Sequence, residues 1–246
     1  MSEREWLRDY DPRSYPPFAV TVDLAVFTLR TDGLCVLLVR RGEHPQLGSW
    51  ALPGGHVRHG RESADDAAHR ELLEETGVDA RRSNAHLEQL AAYSAPDRDP
   101  RIAAGLQVVS IAYVALAPGL PDAVAGTDAS DARWTPVADV PTLAFDHDRI
   151  LADALERVRA KLEYTTLALH FVTAPFSLAE LRRVYETVWG GHVEPANFRR
   201  KVLTTPGFVR PVTRASGAAG RRGGRPPELY EPGGADLVQP PLSRPS

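Results

Sequence analysis

At 246 residues, 43% of them hydrophobic, the chain is longer than one small core requires and fits a mid-sized domain with a smaller one beside it. No apolar run approaches the roughly eighteen residues that span a bilayer, and the charged, proline-rich start MSEREWLRDYDPRSYPP is not a secretory signal. A single cysteine, Cys35, excludes an intramolecular disulfide framework, so a reduced, cytoplasmic protein with no membrane partner is expected. The net charge of −3 hides an asymmetry: Phe176 to Arg225 holds ten basic and three acidic residues, a local +7, which leaves −10 for the remainder. An acidic body with a basic C-terminal module suggests two tasks, one involving cations and one involving polyanions.

Residues 1–17 read as an N-terminal extension. FAVTVDLAVFTL and CVLLVRR are β-branched apolar runs joined by the turn RTDG, a strand pair. After GSWALPGGHVRHGR comes a helix with Ser63 as N-cap, Asp66 completing a capping box and Gly77 at its C-terminal stop. LEQLAAYSA and LQVVSIAYVALA are strands around the polar loop PDRDPR, and DASDARWTPVADVP is a loop leading into the helix HDRILADALERVRAKLEY. Strands with two intervening helices predict a mixed α/β sandwich for residues 18–160. In 161–232 the rhythm changes. SLAELRRVYETVWG carries Ser177 as N-cap, an apolar stripe through Leu178, Leu181, Val184, Tyr185 and Val188, and a glycine stop. EPANFRRKVLTTPG is a second helix, with Phe198, Val202 and Leu203 expected inward. FVRPV and ELYEP frame a Gly/Arg-rich loop as two strands, so the order is that of a winged helix-turn-helix. From Gly233 to Ser246 the Pro/Gly-rich tail is expected to be disordered.

The stretch RELLEETGV is costly for a plain helix. Glu71, Glu74 and Glu75 fall on one face at i, i+3 and i+4, where like charges repel by a few tenths of a kcal/mol (~0.2–0.5) per pair. A solvated Glu-rich face is the bland reading; a hard divalent cation, Mg²⁺ or Mn²⁺, held by that oxygen cluster is the sharper one. Arg70 is placed to hold one carboxylate in a bidentate pair. The full string GGHVRHGRESADDAAHRELLEETGV resembles the Nudix box, G-x5-E-x7-R-E-U-x-E-E-x-G-U with U aliphatic. Glu62, Arg70, Glu71, Leu72, Glu74, Glu75, Gly77 and Val78 match in type and spacing. One departure is that six residues, not five, separate Gly55 from Glu62. The resemblance implies an α/β/α Nudix sandwich that hydrolyses nucleoside diphosphate derivatives with Mg²⁺ or Mn²⁺. It further implies Glu71, Glu74 and Glu75 as metal ligands and Arg70 as the orienting residue.

Arg40, Arg41, Asp97, Arg98 and Arg101 stand in expected loops or strand ends near this helix, and with Gly54 and Gly55 they form the candidate ligand-binding set. APDRDPR followed by VVSIAYVAL is similar to the matching segment of ADP-ribose-handling Nudix proteins, so ADP-ribose leads as ligand. His56, His59 and His69 read as surface residues. In the C-terminal module Asn197, Arg199, Arg200 and Lys201 would face the DNA major groove from the second helix. Arg221, Arg222 and Arg225, in the wing with Arg214, would contact phosphates. Residues 18–232 together resemble the Nudix-related transcriptional regulators of the NrtR group. That resemblance implies an effector-binding Nudix domain and a winged helix bound to a double-stranded operator. Half-sites about one helical turn apart imply a twofold homodimer. The box keeps its charged positions, so metal-dependent pyrophosphohydrolase activity is expected as well. The competing reading is a dedicated ADP-ribose pyrophosphatase-like enzyme whose C-terminal domain only dimerises.

Overall fold

The computed structural model describes residues 1–82, 85–117, 120, 129–212 and 228–244. A short capped helix, α1 (Glu3–Asp9), buries no residue and precedes the main sheet. That sheet is built from β1 (Phe18–Arg30), β2 (Gly33–Arg41), β3 (Trp50–Ala51), β4 (Gly54–His56), β5 (His86–Tyr93), β6 (Gln107–Leu116) and β7 (Ala129–Pro136). Among the described residues the order is β3-β2-β1-β6-β5, with β4 added on β1 and β7 on β2. β1 and β6 run parallel from Phe18↔Gln107 to Phe27↔Leu116, and the β1–β2 hairpin closes at Arg30↔Gly33.

Period-two alternation makes this a sandwich. Val22, Leu24 and Val26 of β1 face helix α2 (Ala64–Thr76), packing with Ala67, Ala68 and Leu72. Ala25 and Phe27 point the other way, into a cluster with Ile150, Val158 and Leu162 of helix α3 (His147–Tyr164). α2 begins as expected, with Ser63 and Asp66 in a reciprocal capping box, and ends at Gly77 in the left-handed region (φ 72°).

The C-terminal module consists of β8 (Phe176–Ser177), α4 (Leu178–Trp189), α5 (Pro195–Thr204), β9 (Val209–Pro211) and β10 (Leu229–Pro232), with the strands ordered β8-β10-β9. Ser177 and Glu180 form a capping box on α4, whose five stripe residues are all buried. One apolar cluster runs unbroken from Phe27 through α3 to Tyr185, Phe198 and Phe208, so the two modules share a core.

Three expectations need correction. DASDARWTPVADVP is not wholly loop: it contains β7, which pairs with β2 from Cys35↔Pro136 to Arg41↔Ala129. Leu203 does not pack inward; it is 44% exposed, and the buried face of α5 is formed by Phe198 and Val202. The tail is not loose through Arg244 either. Val238 and Leu242 are buried in the shared cluster, and their amides donate to Tyr164 O and Glu163 O at the end of α3. A helix leaves its last carbonyls without partners in the helix, and the tail supplies donors.

Because Leu162 is fully buried where sheet, α3 and tail meet, Leu162→Ala should cost about 2–5 kcal/mol. Urea denaturation followed by fluorescence should show the midpoint falling for both modules together, not for one alone.

Candidate functional site

A cleft of about 1030 Å³ opens along one side of the sandwich, between α2, β4, the loop after β2 and the N-terminal end of α3. Glu71, Glu74 and Glu75 all line it, as do Arg40, Arg41, Gly54, Gly55, Arg98 and Arg101. The expected site therefore comes together around one cavity, with Asp97 the exception. Asp97 is exposed and off the lining, whereas Asp99, two residues on, is buried and on it.

Arg70 organises the acidic end. Its Nε and Nη2 donate to the two carboxylate oxygens of Glu62 (3.1 and 2.8 Å), and its Nη1 donates to Glu71 Oε1 (2.6 Å) and Glu74 Oε2 (3.2 Å). Glu71 is only 7% exposed. Gly55 faces it so closely that a Cβ there would stand 2.1 Å from Glu71 Oε1. Gly54 is equally tight, because a Cβ would meet Val22 O at 2.1 Å. The paired glycines thus let β4 pass between β1 and the helix acids. The extra residue before Glu62 is absorbed in a turn, with Arg61 N donating to Arg58 O and Gly60 at φ 66°. Glu62 consequently still reaches Arg70 and also accepts from Arg58 N (2.9 Å).

The charge balance is uneven. The Arg70 hydrogen bonds hold Glu62 down to about 2, whereas burial pushes Glu71 above the ordinary carboxylate value against the pull of Arg70. A buried carboxylate whose charged form is penalised by desolvation is one that a neighbouring cation would stabilise. Oxygen donors from three glutamates fit a hard divalent ion in kind. Among the described residues, however, no group of three His, Cys, Asp or Glu side chains stands in ligating arrangement, and Arg70 draws on Glu71 and Glu74.

Beyond the acids comes a row of guanidinium groups. Arg101 is held by Asp99 through Nε (3.0 Å) and Nη2 (2.9 Å), and its Nη1 lies 3.3 Å from His56 Nε2. His56, expected at the surface, is exposed and lines the cleft; desolvation and then Arg101 lower its pKa. Arg41 is lowered by burial and then by Arg101, and its guanidinium lies 4.8 Å over the ring of Phe145. Arg40 donates from Nε to Gly48 O (3.0 Å) and remains exposed. Arg98 is a different case. It is buried and forked onto Asp146 (3.0 and 2.7 Å), with Asp23 at 3.4 Å, so it braces the cleft floor instead of offering a free cation. Beside it, His147 Nδ1 accepts from Leu52 N (2.9 Å) and Nε2 lies 3.5 Å from Asp23, with burial lowering the ring's pKa. Asp23, Asp99, Phe145, Asp146 and His147 were not singled out from the sequence. A signal lay in FDHD, whose polar residues open α3 directly at the cleft.

In the helical module Asn197, Arg199 and Arg200 are exposed on α5 and Lys201 is half-buried. Arg199 is engaged by Glu228 (3.0 Å), which also accepts from Tyr230 OH (2.8 Å) at the base of β10. Arg214, Arg221, Arg222 and Arg225 lie outside the described residues.

The NUDIX domain family matches residues 18–154. The chain belongs to the Nudix family. The NrtR DNA-binding winged helix domain family matches residues 168–231, so the chain joins a Nudix domain to an NrtR-type winged helix. It is 35% identical, over 93% of its length and 88% of the relative, to the ADPR responsive transcriptional repressor NtrR of Acinetobacter baylyi. Shewanella oneidensis NrtR complexed with a 27mer DNA is similar in structure, with a TM-score of 0.70 and 31% identity, covering 91% of this chain and 99% of that one. The NUDIX domain of the same Shewanella protein complexed with ADP ribose matches with a TM-score of 0.57 and 37% identity, covering 64% of this chain and 99% of that one. No described helix is long and apolar enough to cross a membrane.

Arg70→Gln should leave Glu71 buried without its cation, destabilising by somewhat less than the about 3–5 kcal/mol typical of a fully buried pair. Glu62 has a folded pKa below its ordinary 4.5, so its share of that stability is present above about 4.5 and is lost as pH falls toward about 2. Denaturation midpoints of wild type and variant should accordingly converge through that acid window. An unchanged gap across it would show that the fork carries little stability.

Proposed function

We propose that this protein is an ADP-ribose-responsive transcriptional repressor that binds a double-stranded operator as a homodimer. The single observation that carries the reading is that one chain holds both a nucleotide-sized cleft, acidic at one end with guanidinium groups beyond, and an NrtR-type winged helix. The similarity to the Acinetobacter repressor spans both modules, and the Shewanella relative has been captured with DNA and, as its Nudix domain, with ADP ribose. Arg41 and Arg101 would receive the diphosphate, with Asp99 orienting Arg101 and His56 beside it. Asn197, Arg200 and Lys201 of α5 would enter the major groove, Arg199 would stay tied to the wing base through Glu228, and Arg221, Arg222 and Arg225 would neutralise phosphates.

A second activity is supported by the intact charged positions of the box. Glu71, Glu74 and Glu75 would hold Mg²⁺ or Mn²⁺, which when bound polarises a phosphoryl oxygen and lowers the pKa of a water. Arg70 would keep Glu71 and Glu74 aligned, and Gly55 would leave Glu71 room to approach. The reading is of a repressor that also hydrolyses its effector slowly.

On a duplex selected with wild-type protein from a random pool, saturating ADP-ribose should weaken binding by about 5- to 150-fold in fluorescence anisotropy. Arg221→Glu with Arg222→Glu should abolish DNA retention and leave ligand binding intact. No effect of ADP-ribose on the DNA complex, with ligand binding established by calorimetry, would discard the regulatory coupling. For the enzymatic half, Mg²⁺-dependent release of AMP from ADP-ribose should be lost in Glu74→Gln and in Glu75→Gln. Equal slow turnover in wild type and both variants would remove it.

A further inference from the structure

Helix α3 begins at the cleft and ends at the DNA-reading module. His147, its first residue, lines the cleft, and Asp146 before it takes the Arg98 fork. Its 18 residues, at about 1.5 Å each, carry the helix roughly 27 Å to Tyr164. There the segment that follows β10 crosses back over the end of the helix. Gly233 N donates to Phe208 O and Ala235 N to Gly207 O, which fastens the segment to the helix-turn-helix just before β9. Gly233 and Gly207 meet so closely that a Cβ on Gly233 would lie 2.4 Å from Gly207 O. The segment then grips α3. Thr166 N donates to Asp236 O (3.1 Å), Val238 N to Tyr164 O (2.8 Å) and Leu242 N to Glu163 O (2.7 Å). Thr166 Oγ1 donates to Ala235 O (2.7 Å), and Arg244 pairs with Glu156 and Glu163 on the last turns of the helix.

The geometry has a mechanical consequence. The chain leaving α3 at Thr165 is one covalent link to the winged helix, beside the apolar cluster that the two modules share. Residues 233–244 supply a second link, from the end of wing strand β10 back to α3. Rotating the wing relative to α3 would break three main-chain hydrogen bonds and uncover Val238 and Leu242. The α3–α4 contacts, Arg159 Nε to Val188 O and Trp189 Nε1 to Arg159 O (both 3.0 Å), do not involve the wing.

We propose that residues 233–244 form a strap that couples the cleft to the wing: ligand seated in the cleft at Phe145 and His147 shifts α3, and the strap carries that shift to β10. This rests on the ADP-ribose reading above and names the device by which that site is regulated. It requires that the ligand bind the two positions of α3 unequally, since only differential affinity moves such an equilibrium.

Two measurements on the full-length protein test it. In wild type, ADP-ribose should change amide hydrogen exchange at Val238 and Leu242 by about fivefold or more, the lower bound of ordinary allosteric coupling. In the variant Thr166→Val/Arg244→Glu, which loosens the strap without touching the cleft, calorimetry should give an ADP-ribose Kd within about twofold of wild type. The ratio of DNA affinities without and with ligand should meanwhile collapse toward one. A strap that only stabilised the fold would lower the denaturation midpoint and leave that ratio alone. Unchanged exchange in the strap alongside protected cleft amides, or an undiminished ratio in the variant, overturns the proposal while the repressor reading stands. A wild type whose DNA binding ignores bound ADP-ribose overturns the repressor reading, and the strap coupling with it.

Discussion

Arg70 is the cation on which the acidic end of the cleft depends. Its guanidinium reaches four carboxylate oxygens on Glu62, Glu71 and Glu74, which turns a cluster that would repel itself into a set of charge-assisted hydrogen bonds. The consequence spreads beyond α2. Gripping Glu62 closes the loop that precedes the helix, and that loop includes the residue by which this sequence exceeds the usual spacing. Arg70 Nη2 also reaches His56 O (3.3 Å), so β4, with Gly54 and Gly55, is tied to the same side chain. The acidic end of the cleft is thus shaped by one arginine whose neighbours are set by i−8, i+1 and i+4 positions in the chain. Burial raises the Glu71 pKa against the pull of Arg70, a shift that a divalent ion beside it would oppose.

What could be read in the sequence was whatever local physics decides. The caps of α2 and α4, the glycine stops, the strands β1, β2, β5 and β6 and the placing of three glutamates on one helical face all follow from spacings within about one helical turn or one strand. What escaped was decided at a distance. β7 has a polar, proline-ended sequence with little strand character of its own, and pairing with β2 imposes the conformation. In PDRDPR the charges alternate, and nothing local says that Arg98 is buried and Asp97 exposed; Asp146, 48 residues away, selects Arg98 by its bidentate fork. The tail had the composition of disorder. Two apolar side chains and the carbonyls of α3 that need donors were enough to seat it.

The shared apolar cluster constrains how the two modules can communicate. Inter-domain contacts that are small and polar allow free hinge motion, whereas here buried residues run without a break from the sheet through α3 into α4 and α5. A free hinge between effector and DNA-reading modules would expose part of that cluster at each swing. A small displacement of α3 against its neighbours, with the cluster kept closed, is the cheaper motion. Packed interiors switch between alternative seatings instead of deforming continuously.

Charge distribution sets the direction of that displacement's use. The body carries −10 and the stretch from Phe176 to Arg225 carries +7, so a DNA duplex is drawn to one end of the molecule and repelled by the other. A nucleoside diphosphate is an anion too, and Arg41 and Arg101 are positive groups on the cleft lining of that acidic body. Placing those arginines beside the Arg98–Asp146 fork puts new negative charge next to an ion pair that fixes the start of α3. An anion there competes with Asp146 for guanidinium groups. The start of α3 therefore lies at the cleft, while its last turns are held by α4 and by the segment after β10.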